Sequence, residues 1–157
     1  DLLDRLAEAL ATRRPGFRIM LVGPTQGNSR PMVEQRMSRH ANVEILGRTE
    51  LDALPMHETL AALIPYRRDR TNDAILQTNK TMQLLAKGLP LVISGMPAFM
   101  RKPYILRLDE GRDMGDVVDE VVANFGRWQP EMRDFVAEDS PESRLPMLGV
   151  ESARVRA

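Results

Sequence analysis

Four short apolar runs that end abruptly constrain this chain more than any other feature. FRIMLV (17–22) stops at Gly23-Pro24, and NVEILGR (42–48) turns polar past Gly47. LAALIPY (60–66) runs into a string of charged residues, and LPLVIS (89–94) stops at Gly95. Runs without polar alternation suit strands buried on both faces, as in a parallel sheet covered by helices. Stretches with helical spacing lie between them. That alternation predicts an α/β fold, a Rossmann-like parallel sheet flanked by helices.

The intervening stretches support the same class. Residues 1–13 place Leu2, Leu3, Leu6, Ala7, Ala9 and Leu10 at helical spacing with charges opposite, and Pro15-Gly16 ends the helix. Residues 25–30 are turn-like, and 31–40 form a helix with Pro31 at its first position. Residues 50–59 are a short helix broken at Pro55. A polar segment covers 67–77, a loop covers 95–103, and YILRL (104–108) reads as a fifth strand. Residues 113–125 are a helix with Val117, Val118, Val121, Val122 and Phe125 on one side. A further helical stretch follows Pro130, and the tail past Ser140 has no pattern.

Composition excludes several classes. The 157 residues balance 22 basic against 22 acidic side chains, which argues against a nucleic-acid partner held by general positive charge. Without cysteine there is neither a disulfide framework nor a thiolate metal site, in keeping with a cytoplasmic location. No apolar run approaches the roughly 20 residues of a membrane span. No G-x-G-x-x-G or G-x-x-x-x-G-K follows the first strand. His40 and His57 stand alone in the sequence and read as surface or packing residues. Asp69, Asp73, Asp109 and Asp113 form no Asp-x-Asp pair, so no metal is expected.

The stretch TNKTMQLLAKGLPLV (78–92) carries the chemistry. Thr78 or Asn79 is suited to cap a helix, which puts Lys80 in the first turn. A cation there is disfavoured by the helix dipole unless an anion shares the place, and exposed amides beside a lysine suit phosphate. Gln83 lies one turn on, on the same face, while Met82, Leu85 and Ala86 point toward the core. Exposed lysine and glutamine on an ordinary amphipathic helix account for the same pattern. Other candidate strand ends are Gly23-Pro24, Gly47-Arg48 and Tyr66-Arg67, because ligands of such sheets bind beyond the C-terminal strand ends. Arg67, Arg68, Arg70, Arg101 and Lys102 are loop cations expected near the same mouth, or else solvated surface.

Residues 78–92 resemble the donor-binding motif of bacterial glycosyltransferases of the two-domain GT-B type, Pro-x-Lys-x-x-Glu-Tyr-x-Ala-x-Gly-x-Pro-Val-Val. Lys80, Ala86, Gly88, Pro90 and Val92 match in register. Thr78, Gln83 and Leu84 replace the usual proline, glutamate and aromatic. RRPGFRIMLVGP, NVEILGR and LAALIPYRRD resemble further segments of that family, in order, and the likeness extends to about residue 125. The Lys–Gln pair and Tyr66 are similar to exopolysaccharide glucuronosyltransferases of the xanthan type.

The resemblance implies that 1–126 is the nucleotide-sugar-binding domain in the C-terminal half of such an enzyme, with its first strand missing. Residues 127–157 would be a C-terminal helix and tail. It implies Lys80 on the donor pyrophosphate, Gln83 on ribose or sugar hydroxyls, and Tyr66 beside the pyrophosphate or sugar. Thr78 and Asn79 would form the helix end, and Gly47-Arg48 the base pocket. Gln83 can donate as well as accept, which weakens the ribose role. The substrate would be a nucleotide sugar, UDP-linked by expectation, without a further cofactor. An N-terminal acceptor domain would carry the catalytic base, so no catalytic residue is assigned here. The whole enzyme would act in polysaccharide or glycolipid synthesis, peripheral to the inner membrane. Alternatives are a non-catalytic α/β binding or regulatory module and an epimerase of nucleotide sugars.

Overall fold

Among the described residues five α-helices and five strands are interspersed along the chain, together with two single-turn 3-10 helices. The computed structural model describes residues 2–23, 30–108 and 111–138. Most of the turn expected at 25–30, Asp109 and the tail past Ser140 lie outside the described residues. Two compact units make up the chain: Asp1–Thr59 with Arg107–Glu120, and Leu60–Leu106 with Val121–Ala157.

In the first unit, α1 (Leu2–Arg13) precedes β1 (Ile19–Val22), α2 (Arg30–Met37) and β2 (Val43–Gly47). β1 and β2 pair in parallel from Ile19↔Val43 to Val22↔Gly47, with an irregularity between Leu21 and Val22. Leu6, Ala7, Leu10, Ile19 and Met37 are buried there. Asp4 is buried as well, although its charge suggests the solvent face of α1. Pro55 divides 50–59 into two 3-10 turns, Leu51–Ala53 and Met56–Glu58, because proline cannot donate the bond that would join them.

In the second unit, β3 (Ala62–Pro65), α3 (Arg70–Asp73), α4 (Asn79–Ala86), β4 (Leu91–Ser94) and β5 (Ile105–Arg107) follow in order. β3 pairs with β4 in parallel, register Ala62↔Leu91 through Pro65↔Ser94, and β5 lies on the other edge of β4. The hydrogen bonds thus form two small sheets where the sequence predicts one, and the α/β class is compatible with a Rossmann-like arrangement. All four residues of β4 are buried, as its unalternating sequence requires of a central strand. Leu85, Leu89, Leu91, Ile93, Met96 and Phe99 complete the interior, and a buried leucine contributes roughly 1.5–3 kcal/mol.

α5 (Met114–Glu138) runs unbroken through Pro130, joining two stretches that the sequence separates. Asp113 caps it, its carboxylate accepting from the amides of Gly115 and Asp116 at 2.8 and 3.2 Å. Met114, Val117, Val121, Trp128 and Met132 form its buried stripe. Val122, expected on that stripe, is 37% exposed, because the stripe follows the 3–4 spacing past it. No helix among the described residues is long and apolar enough to cross a membrane.

Candidate functional site

Parallel pairing sets the geometry of the second unit. Pro65 and Ser94 stand level at the ends of β3 and β4, so Tyr66 and Gly95 leave the sheet on the same side. The chain returns to the start of β4 through α4, which therefore runs against the strands with its N-terminus on the exit side.

That N-terminus is firmly built. The Thr78 hydroxyl accepts the Thr81 amide at 3.2 Å, and the Thr81 hydroxyl accepts the Thr78 amide at 3.1 Å. This is a capping box with threonine where glutamate or glutamine is usual. Thr81 also donates to the Thr78 carbonyl at 2.6 Å and is fully buried, taking the inward position expected of Ala86, which is exposed. The reason is the phase of the helix: Thr81 and Leu85 share the buried line, with Met82 half-buried beside it.

Asn79, Lys80 and Gln83 are exposed. The amides of Asn79 and Lys80, in the first turn, have no preceding helical carbonyl to bond. Opposite, Gly88 at φ +76° ends α4: its amide donates to Leu85 and that of Leu89 to Leu84, closing the helix in a Schellman turn. A side chain at position 88 would strain that conformation.

The loops beside this helix end are tied to one another. The buried Ser94 hydroxyl donates to the Tyr66 carbonyl at 3.1 Å. The Asn72 side-chain amide donates to the Arg67 carbonyl at 2.8 Å, and Asp69 caps α3 by accepting the Asn72 amide. The Met100 amide donates to the Leu76 carbonyl, linking the loop after β4 to the segment before α4. The sequence shows 67–77 only as a polar stretch, and the α3 cap is its missed signal: Asp69 three residues before Asn72. Tyr66 is 37% exposed at the rim.

Of the loop cations, Arg67 and Arg70 are exposed and Arg68 pairs with Asp73 at 3.3 Å. Lys102 sits 4.5 Å over the Phe135 ring, and Arg101 is exposed. Tyr66, Thr78, Asn79, Lys80 and Gln83 thus belong to one unit. Gly47 and Arg48 belong to the other: Gly47 ends β2 at φ +61°, its carbonyl accepts the Gly23 amide at 2.7 Å, and Arg48 is exposed.

Two polar features of the first unit escape the sequence patterns. Asp4 accepts from Arg36 Nε at 2.6 Å and Arg39 Nη2 at 2.8 Å, with His40 Nε2 at 3.0 Å. His40 therefore has a packing role, as its isolation in the sequence suggests. His57 is exposed beside Glu58. Arg13 reaches Asp113 and Asp116 at 3.1 and 2.9 Å, and Arg14 reaches Asp119 at 2.7 Å. These exposed pairs contribute little individually. A shallow open groove bounded by Arg5, Glu8, Thr12, Arg13, Asp113 and Met114 includes none of the candidate donor residues. Among the described residues no group of three histidines or carboxylates could hold a metal ion.

Compared with protein-family models, curated proteins and solved structures, the chain matches none.

Proposed function

We propose that the chain is the donor-binding half of a GT-B glycosyltransferase and holds a nucleoside-diphosphate sugar. The observation that carries this reading is the capped N-terminus of α4. It leaves two backbone amides unbonded within the helix, beside the exposed Lys80, at the helix end on the side where β3 and β4 end. Amides at a helix terminus favour anions, and a lysine adds a mobile point charge. Such a cradle stabilises the charge that builds on a departing nucleoside diphosphate. Gln83 follows one turn on, within range of ribose or sugar hydroxyls. Tyr66 borders the same rim. The catalytic base and acceptor site belong to the partner domain, and the complete enzyme transfers the sugar to a polysaccharide or lipid-linked acceptor.

Titration of the chain with UDP, GDP and ADP by calorimetry tests this. One nucleoside diphosphate is expected to bind, and Lys80→Ala to weaken it about 10- to 100-fold, the worth of one hydrogen bond to a charged group. Absence of binding, or unchanged affinity in Lys80→Ala, rejects the reading.

A further inference from the structure

We propose that Ser94 and Gly95 are positioning residues that set nucleotide affinity by fixing the Tyr66–Arg67 backbone; this rests on the donor-site reading above. The two strand ends are level, and the connection between them is made by atoms with little freedom. Ser94 is buried, and its hydroxyl is 3.1 Å from the Tyr66 carbonyl oxygen. Gly95 has φ +71°, and a Cβ built on it would run into the Tyr66 carbonyl and the Arg67 backbone. A side chain at 95 is thus excluded twice, by its conformation and by the backbone it would strike.

The close approach has consequences beyond packing. With no side chain at 95, the first residue after β4 lies directly against the first residues after β3. The Asn72 bond holds the Arg67 carbonyl from the other side. Tyr66 and Arg67 are therefore held between two independent supports, while their side chains stay exposed. A loop fixed in this way presents its groups to a ligand without an ordering penalty on binding. Moving the Tyr66 carbonyl to admit a Cβ at 95 would move that whole rim. Neither Ser94 nor Gly95 needs to touch the ligand.

The test uses whichever of UDP, GDP and ADP binds best to the unmodified chain. Affinity is measured calorimetrically for Ser94→Ala, Gly95→Ala and the control Met132→Val, a core truncation on α5, at a temperature where all are folded. Backbone amide NMR of Arg67 reports the position of the rim. Expected are a shifted Arg67 amide and affinity lowered about five- to tenfold in Ser94→Ala, more in Gly95→Ala, and unchanged in the control. Should Gly95→Ala not fold, Ser94→Ala carries the test alone. Unchanged affinity in Ser94→Ala, with the unmodified chain binding, overturns the positioning role and leaves the donor reading intact. An affinity loss that the control shares marks a merely structural effect and also overturns it. If the unmodified chain binds none of the three nucleotides, the donor reading fails and the positioning role falls with it.

Discussion

Nε2 of His40 lies 3.0 Å from Oδ1 of Asp4, joining the turn three residues past the end of α2 to the first turn of α1. The His40 hydrogen bond and the guanidinium groups of Arg36 and Arg39 hold the Asp4 carboxyl well below the usual carboxylate range, against the opposing effect of burial. A carboxylate depressed in the folded state stabilises the fold above its unfolded pKa. That contribution is lost as pH falls from the ordinary value of 3.8 through the folded one. Asp4→Asn is therefore expected to lower the urea midpoint at neutral pH and to flatten its decline down to about pH 2. Parallel declines in the two proteins would count against this role.

Thr78→Ala removes the hydroxyl that caps α4. A loss of about 1 kcal/mol is expected in chemical denaturation, and most of it should be absent in Thr78→Ser. Lys80→Ala should not lower the same midpoint and should raise it slightly, since Lys80 is exposed and a cation in the first turn opposes the helix dipole. A midpoint that fell equally in both Thr78 variants would point away from the cap.

Trp128 is the sole tryptophan; it is 1% exposed, and its indole N–H has no hydrogen-bond partner among the described residues. An apolar, unbonded indole predicts blue-shifted emission that moves to the red on unfolding. Trp128→Phe keeps most of the ring volume and removes a buried unpaired donor. It should therefore cost clearly less than the roughly 3–5 kcal/mol of Trp128→Ala. Equal losses in the two variants, followed by circular dichroism, would contradict that.

Burial, with the nearby charges of Glu131 and Glu138, pushes the Tyr104 phenol up to about 12 from 10.0. A raised folded pKa gives a contribution that is complete below the unfolded value and lost as pH rises through the folded one. Stability should therefore fall between about pH 10 and 12, and Tyr104→Phe should remove this part of the fall. Phenolate absorbance, read beside the unfolding midpoints, checks the assignment; an ordinary Tyr104 titration would refute it.

Much of the second unit was legible. LPLVIS has no polar alternation, and β4 is buried throughout. Thr78 was one of two candidate caps, and the structure selects it through Thr81. The inward place of Thr81 was not legible, because a threonine in a first turn is as readily a surface residue as half of a capping box. Asp4 misled for a similar reason. Its charge suggests solvent, and partners 32 to 36 residues away, Arg36, Arg39 and His40, make its burial tolerable.

Sequence alone determined the α/β class, the positions of the strands and the stop at Gly88, since apolar runs and glycine act locally through burial and backbone freedom. It also singled out Lys80 and Gln83 as the candidate donor residues. Tertiary structure decided which strands pair, dividing them into two small sheets, and it carried α5 through Pro130. It also brought Ser94 and Gly95 against Tyr66, 29 residues earlier at most. Those outcomes depend on pairings between segments far apart in the chain, and no local pattern encodes which carbonyl a buried hydroxyl will meet.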